Sequence, residues 1–140
     1  MTEERIDLAS GRATLILGGR RAHELAFDEI RALHIVGLDH MWLHDDEPFY
    51  VLVTDDRVWV LPDDAVGLPA LLEALLPGLF REGKVRQTTA PRIPWRWRRG
   101  RLVRALQLPR LSEHPVDTIP DWEARTVGAD EIKRMTGVEI

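Results

Sequence analysis

The chain contains no cysteine among its 140 residues. This absence excludes a disulfide, a thiolate metal site and a cysteine nucleophile, and it is compatible with the reducing cytosol. No apolar run approaches the about 18 residues that a transmembrane helix needs. The first residues, MTEERIDLAS, are acidic where a signal peptide would be basic and then apolar. We therefore expect a cytoplasmic protein without a transmembrane segment.

Strong net charge and the common enzyme motifs are also missing. The net charge of −4 gives no global attraction to nucleic acid or acidic membranes. Neither Ser10 nor Ser112 lies in a Gly-x-Ser-x-Gly elbow, and Gly18-Gly19 lacks the Gly-Lys-Ser/Thr ending of a phosphate loop. Paired carboxylates such as Asp55-Asp56 are adjacent, so on a strand they point to opposite faces and form no acid–base pair. Three histidines have no recognisable partner in the sequence, namely His23, His34 and His114. We predict a protein that is not an enzyme and needs no cofactor.

Two apolar segments separated by Asp55-Asp56 dominate the middle of the chain. Phe49–Thr54 and Arg57–Leu61 are rich in β-branched and aromatic residues, which favours strands on both sides of a tight turn. With the two aspartates as the loop, Leu52 faces Trp59. Both faces of this hairpin are then apolar, so we expect both to be buried.

A leucine-rich helix is predicted directly after the hairpin, at about 66–77. Its leucines fall on one side at helical spacing. Pro62 ends the preceding strand, Asp63 or Asp64 can cap the helix, and Pro77-Gly78 is predicted to end it. We expect the hairpin and this helix to be the nucleus of the core.

The remaining part of residues 1–80 consists of short apolar segments between turns. Arg31–Val36 suits either a helix or a strand, and we favour the strand. Further strands are predicted at 5–9, 13–17, 20–26 and 40–44, with one helical turn at 27–30. The sum is an α+β, mostly β fold: an antiparallel meander or partly open barrel of about seven short strands, capped by a helix.

This order of elements resembles the pleckstrin-homology-like barrel. The segment Leu25-Ala26-Phe27-Asp28-Glu29-Ile30, with Ile35-Val36-Gly37 beyond it, is similar to the aromatic–acidic–acidic–isoleucine step of bacterial members and of the related GRAM domains. The resemblance covers about Arg5 to Phe80. It implies a scaffold that binds peptides, lipids or other proteins without catalysis. No binding residues carry over, because the basic pattern of phosphoinositide-binding members is not visible in the first strands.

The composition changes after Phe80, so we divide the chain into a β-rich domain with a capping helix (1–80) and a basic Trp/Arg segment with a C-terminal extension packed on it (81–140), which together form a single domain. Between Arg81 and Arg110, ten Lys or Arg stand against one acid, a local charge of +9 that leaves −13 for the rest. Within the extension we predict a short helix or a strand at 101–108, a loop at 112–120 and a small helix at 128–136.

The segment Pro94–Arg101 is the leading candidate for binding. In an extended backbone, alternate residues share a face, so the two tryptophans lie on one face and Arg96 and Arg98 on the other. Trp and Arg dominate protein-binding hot spots, which predicts a protein or peptide partner. The candidate residues are Trp95, Arg96, Trp97, Arg98, Arg99 and Arg101.

Other uses of this basic segment stay open. Trp95–Arg104 could bind nucleic acid by stacking and phosphate pairing, and Trp and Arg also suit a lipid headgroup layer. Alternatively, both tryptophans pack on the domain's own core. The acidic remainder of the chain is the nearest counter-charge, which favours a segment that folds back or reaches a second copy in a homodimer.

One group of residues has metal-ligand chemistry. His40 and His44 are four apart, and imidazole with nearby carboxylates suits zinc or manganese. A polar turn rich in His and Asp is common for solubility alone, so we predict no metal site here.

Overall fold

The computed structural model describes residues 4–17, 21–37, 49–89, 111–118 and 123–140. These residues form nine strands, which are arranged in two open sheets, and two α-helices. The prediction of an α+β, mostly β fold is therefore confirmed.

The elements follow one another in short steps. The strands are β1 (Arg5–Ala9), β2 (Arg12–Leu17), β3 (Arg21–Ala26), β4 (Ala32–Gly37), β5 (Phe49–Val53), β6 (Arg57–Pro62), β7 (Val85–Thr89), β8 (Ser112–Pro115) and β9 (Glu123–Thr126). The helices are α1 (Leu68–Arg81), between β6 and β7, and α2 (Ala129–Thr136), after β9. Short 3-10 turns cover Phe27–Glu29 and Val116–Thr118.

The strands belong to two sheets. One has three strands in the order β1-β2-β3, and the other has six in the order β8-β6-β5-β4-β7-β9. The larger sheet departs from an antiparallel meander, because β7 runs parallel to β4 and because the pairs β6–β8 and β7–β9 join strands that are not consecutive in the sequence. Three strands of the larger sheet come from residues after Phe80, so this sheet crosses the compositional boundary in the sequence.

The central hairpin has the register predicted from the Asp55-Asp56 turn. Leu52 pairs with Trp59, and Val53 pairs with Val58. Trp59 is 5% exposed and Val58 is fully buried, although they point to opposite faces. Both faces of the hairpin are buried, as expected for strands in the interior of a sheet.

Two apolar clusters follow from this arrangement. The larger one joins the inner faces of both sheets with the leucine side of α1 and with α2. The smaller one lies on the opposite face of the six-stranded sheet and consists of Val36, Phe49, Val51, Val58 and Val60.

Helix α1 differs from its predicted bounds of 66–77 at both ends. Its N-cap is Gly67, with no side-chain cap, rather than Asp63 or Asp64. The predicted end at Pro77-Gly78 is wrong, because the helix runs through Pro77 to Arg81. Pro77 removes one backbone hydrogen bond near the end of the helix. Continued burial of the leucine side outweighs that loss: Leu76 is fully buried and Leu79 is 5% exposed.

The chain after α1 corrects one prediction and confirms another. Ser112–Pro120 was expected to be a loop, but its first four residues form β8, because they pair with β6. The small helix predicted at 128–136 is confirmed as α2, and Gly137 ends it with a φ of 81°.

The strand expected at Arg31–Val36 is also confirmed, as β4. The segments predicted at 40–44 and 101–108 lie outside the described residues.

Candidate functional site

The sequence-predicted site residues lie outside the part of the chain that the structure describes. This holds for the binding candidates Trp95, Arg96, Trp97, Arg98, Arg99 and Arg101, and for the metal candidates His40 and His44. Across the described ranges, no three side chains of the metal-ligating types come together.

A groove of about 270 Å³ opens between α1 and the 3-10 turn after β3. We call it the α1 groove. One wall is the outer side of α1 in its second half, and the other is the turn that begins at Phe27. Its lining residues are Phe27, Asp28, Ala74, Leu75, Gly78, Leu79, Glu82 and Lys84.

The floor of the α1 groove is apolar because of how α1 packs. Leu75 and Leu79 are one helical turn apart and belong to the main core, at 2% and 5% exposed. Phe27 is half-buried and packs against the same core. Ala74 and Gly78 are also one turn apart, and their small size leaves the space that forms the groove. Among the described residues, a Cβ added to Gly78 would meet only the Arg81 Nη2 atom, at 4.0 Å.

The rim of the α1 groove is charged. Asp28 is exposed on the turn. On the other side, Lys84 Nζ lies 2.5 Å from Glu82 Oε2 and donates to the carbonyl oxygen of Ile30 at 3.3 Å. The hydrogen bond from Lys84 lowers the pKa of Glu82, so this carboxylate stays ionised near neutral pH. The rim thus carries two negative charges and one lysine that already has two acceptors.

The size of the α1 groove limits what it can hold. Small-molecule and cofactor sites are typically about 300–1,000 Å³, so this groove is below the usual range. It can accommodate one large apolar side chain. Its titratable lining residues are Asp28, Glu82 and Lys84, and they do not form a nucleophile with a base.

All three histidines without a recognisable partner in the sequence have one in the structure. His34 Nδ1 lies 2.7 Å from Thr88 Oγ1, and His114 Nε2 lies 2.9 Å from Ser112 Oγ. The third histidine, His23, lies beside Glu113. The sequence does not reveal these partners, because they lie on strands that are distant in sequence or in a segment that was predicted as a loop.

The Ser112–His114 pair has the chemical types of a nucleophile and a base. Both residues are on β8, two positions apart, and therefore share a face. His114 is only 9% exposed. We interpret the pair as a structural hydrogen bond of a buried polar group, which such groups require.

A carboxylate is buried where the two sheets meet. The side chain of Glu113 is 5% exposed. Arg57 Nη1 donates to Glu113 Oε1 at 3.1 Å, and His23 Nε2 lies 3.2 Å from Glu113 Oε2. Because His23 belongs to β3 and Glu113 to β8, this group links the three-stranded sheet to the edge of the six-stranded sheet. Within the described ranges, the buried indole nitrogen of the neighbouring Trp59 has no hydrogen-bond acceptor.

Comparison with known proteins gives no relative. No family model, no curated protein and no solved structure matches the chain. None of the described helices combines the length and the apolar character that crossing a bilayer requires. The α1 groove is therefore interpreted from its own chemistry.

The α1 groove is not evident from the sequence, although the segments that form both of its walls are. Phe27 and Asp28 stood out only as part of a predicted helical turn and of a family resemblance, and α1 only as a source of core leucines. The available signal was the spacing of Ala74 and Gly78, two small residues one turn apart beside the leucine side. What the sequence could not show is that residues almost fifty positions apart face each other.

Proposed function

We propose that this protein is a non-enzymatic interaction domain that binds a protein or peptide partner, and that the partner docks in the α1 groove. The observation that carries this proposal is the combination of an apolar floor, a charged rim and room for one large side chain. Interfaces concentrate their binding energy in a few anchors that fill such pockets, surrounded by polar contacts.

The walls of the groove are suited to docking without rearrangement. Leu75 and Leu79 are fixed in the core, so the floor is present before a partner arrives. A preformed site avoids the entropic cost of ordering its own side chains on binding. The scaffold role implied by the resemblance to pleckstrin-homology-like domains is part of the same proposal, as is a cytoplasmic location inferred from the lack of cysteine.

A peptide library displayed on phage and selected against the full-length protein tests the proposal. Gly78→Leu places a large side chain in the groove, and among the described residues the added Cβ would be near only Arg81 Nη2, at 4.0 Å. We expect selected peptides to lose about thirtyfold or more in affinity for this variant, as when an interface hot spot is removed.

Glu73→Leu is the matched control. It places the same side chain on an exposed position of α1 that does not line the groove. Selected peptides should bind this variant as they bind the wild type. A selection that yields no binder, or binders that are indifferent to Gly78→Leu, would refute docking at this groove.

A second function, nucleic-acid binding through Trp95–Arg104, is favoured by the +9 charge of residues 81–110. It differs from peptide docking in its salt dependence. With six or more phosphate contacts, affinity should fall by about 10³–10⁵ between 50 and 200 mM salt. Gly78→Leu should leave that affinity unchanged, because the groove takes no part in it.

A further inference from the structure

We propose that the α1 groove receives the segment Pro94–Arg101 of a second copy of this chain, so that two copies form a reciprocal homodimer. This inference rests on the proposed function and names the partner. The α1 groove has no assigned ligand, and the segment Pro94–Arg101 is rich in Trp and Arg, which is typical of protein-binding segments. The proposal assigns this segment to the groove.

Charge is the first argument. Residues 81–110 carry +9, whereas the rest of the chain carries −13. At the groove itself, Asp28 and Glu82 provide two carboxylates on the rim. Lys84 contacts the Glu82 carboxylate and the Ile30 carbonyl oxygen. These two groups offset the repulsion between the lysine and an incoming arginine. Asp28 is the rim charge that an incoming arginine would meet.

The side-chain pattern of the segment is the second argument. In an extended backbone, Trp95 and Trp97 project to one face and Arg96 and Arg98 to the other. An indole can enter the groove and pack on the apolar floor of Leu75, Leu79 and Phe27. The guanidinium of Arg99 or Arg101, which alternate onto the same face as the tryptophans, can then reach the rim. Arginine also packs favourably on aromatic faces, which Phe27 provides.

Among the described residues, the groove is lined by α1, the 3-10 turn after β3 and the turn that leads into β7, and we assign its occupant to a second copy rather than to the same chain. A second copy brings the complementary segment at equal concentration. In a two-fold dimer each copy would present one groove and one segment, which gives two equivalent contacts and a closed assembly.

The buried area predicts the strength of this dimer. An aromatic side chain buries about 150–250 Å², so one tryptophan in each of the two grooves gives roughly 300–500 Å². Stable interfaces bury about 1,200–2,000 Å², and smaller ones are weak and transient. We therefore expect a dimer that dissociates on dilution, and an assay that traps transient contacts is needed.

Disulfide trapping is well suited because the wild-type chain has no cysteine. The Ala74→Cys variant places a thiol in the groove, and the Arg98→Cys variant places one in the segment. The two full-length proteins are mixed under mild oxidation, with different tags. We expect the mixed disulfide to form faster than either self-disulfide, and more slowly as salt is raised.

Two controls make the outcome specific. The Glu73→Cys variant, used in place of Ala74→Cys, carries its thiol on α1 outside the groove. The mixed disulfide should then form only at the rate of random collisions. Trp95→Ala with Trp97→Ala, added to the Arg98→Cys protein, should have the same effect. Equal trapping of Ala74→Cys and Glu73→Cys would overturn the proposal.

A double variant separates contact between copies from contact within one chain. Ala74→Cys and Arg98→Cys in one chain should stay reduced at high dilution and cross-link between chains when concentrated. Closure within one chain at high dilution would overturn the dimer. If library peptides occupy the groove but no specific cross-link forms, the partner is wrong and the docking function stands. If neither occurs, both proposals fail.

Discussion

At the scale of single residues, His34 shows how burial changes a titratable group. It lies on β4 with its ring against Thr88, and burial lowers its pKa to about 4, with a smaller effect from the charge of Arg86. The folded protein therefore holds this ring neutral under conditions where an exposed histidine is partly charged.

This shift predicts a loss of stability in mild acid. In the unfolded chain His34 takes up its proton near pH 6.5, but in the folded protein only near pH 4. Its contribution to stability is thus complete above about pH 6.5 and is lost as the pH falls toward 4. The full pKa difference between the unfolded and the folded chain corresponds to about 3 kcal/mol of unfolding free energy. Urea denaturation at pH 7, 6 and 5, followed by tryptophan fluorescence, would measure the decline.

The His34→Gln variant isolates this contribution from the carboxylates that titrate in the same range. Glutamine can keep a hydrogen bond to Thr88 but has no proton to gain. The unfolding free energy of the wild type minus that of the variant should decrease as the pH falls, because only the wild type loses the His34 contribution. Parallel curves for the two proteins would show that His34 does not titrate as described.

At the scale of elements, the sequence predicts what local pattern determines. The hairpin at 49–62 follows from two apolar segments around Asp55-Asp56, and its register is confirmed residue by residue. Strands β7, β8 and β9 were not predicted, because they are four or five residues long and lack apolar alternation. Their extended form depends on pairing with strands that are distant in sequence, and the local sequence does not show these pairings.

The α1 groove illustrates the same limit for the site. The leucine side of α1 was predicted correctly, since helical spacing shows it. That Phe27 and Asp28 form the opposite wall depends on how β3 turns into β4, which no spacing reveals. The end of α1 was misjudged for a related reason: Pro77 is a local stop signal, and tertiary burial of Leu76 and Leu79 overrides it.

The junction before α1 gives a prediction for Gly67. This residue has a φ of 88°, and a Cβ at this position would lie 2.0 Å from the carbonyl oxygen of Ile6. The neighbouring Val66 carbonyl accepts the Ile6 N–H at 2.8 Å, which ties β1 to this loop. Gly67→Ala should therefore displace β1 and cost at least about 2 kcal/mol, measured by urea denaturation.

Gly83→Ala is the control for this prediction. Gly83 also has a positive φ, 70°, but a Cβ there would have no atom of the described part of the chain within 4 Å. Its cost should be the conformational strain alone, about 1–2 kcal/mol. Equal losses for the two variants would show that the close approach to Ile6 is not important.

At the scale of the whole molecule, residues 1–80 and 81–140 share one core. Strand β7 pairs with β4 inside the larger sheet, and β8 pairs with β6 at its edge. The second part also contributes to the main apolar cluster through Val85, Leu111, Val127, Ile132 and Val138. A compositional boundary therefore does not coincide with a boundary of packing.

This shared core predicts that a fragment of residues 1–80 does not fold alone. Five buried apolar side chains from the second part, each worth about 1.5–3 kcal/mol, contribute roughly 8–15 kcal/mol. A whole domain is stable by only about 5–15 kcal/mol, so their loss is enough to unfold the fragment. Circular dichroism should show little strand structure, and urea should produce no cooperative transition. Adding residues 81–140 as a separate chain should restore both, because the missing strands and core side chains return together. A fragment 1–80 that unfolds cooperatively by itself would show that its first six strands and α1 are self-sufficient, and that the second part only lies against them.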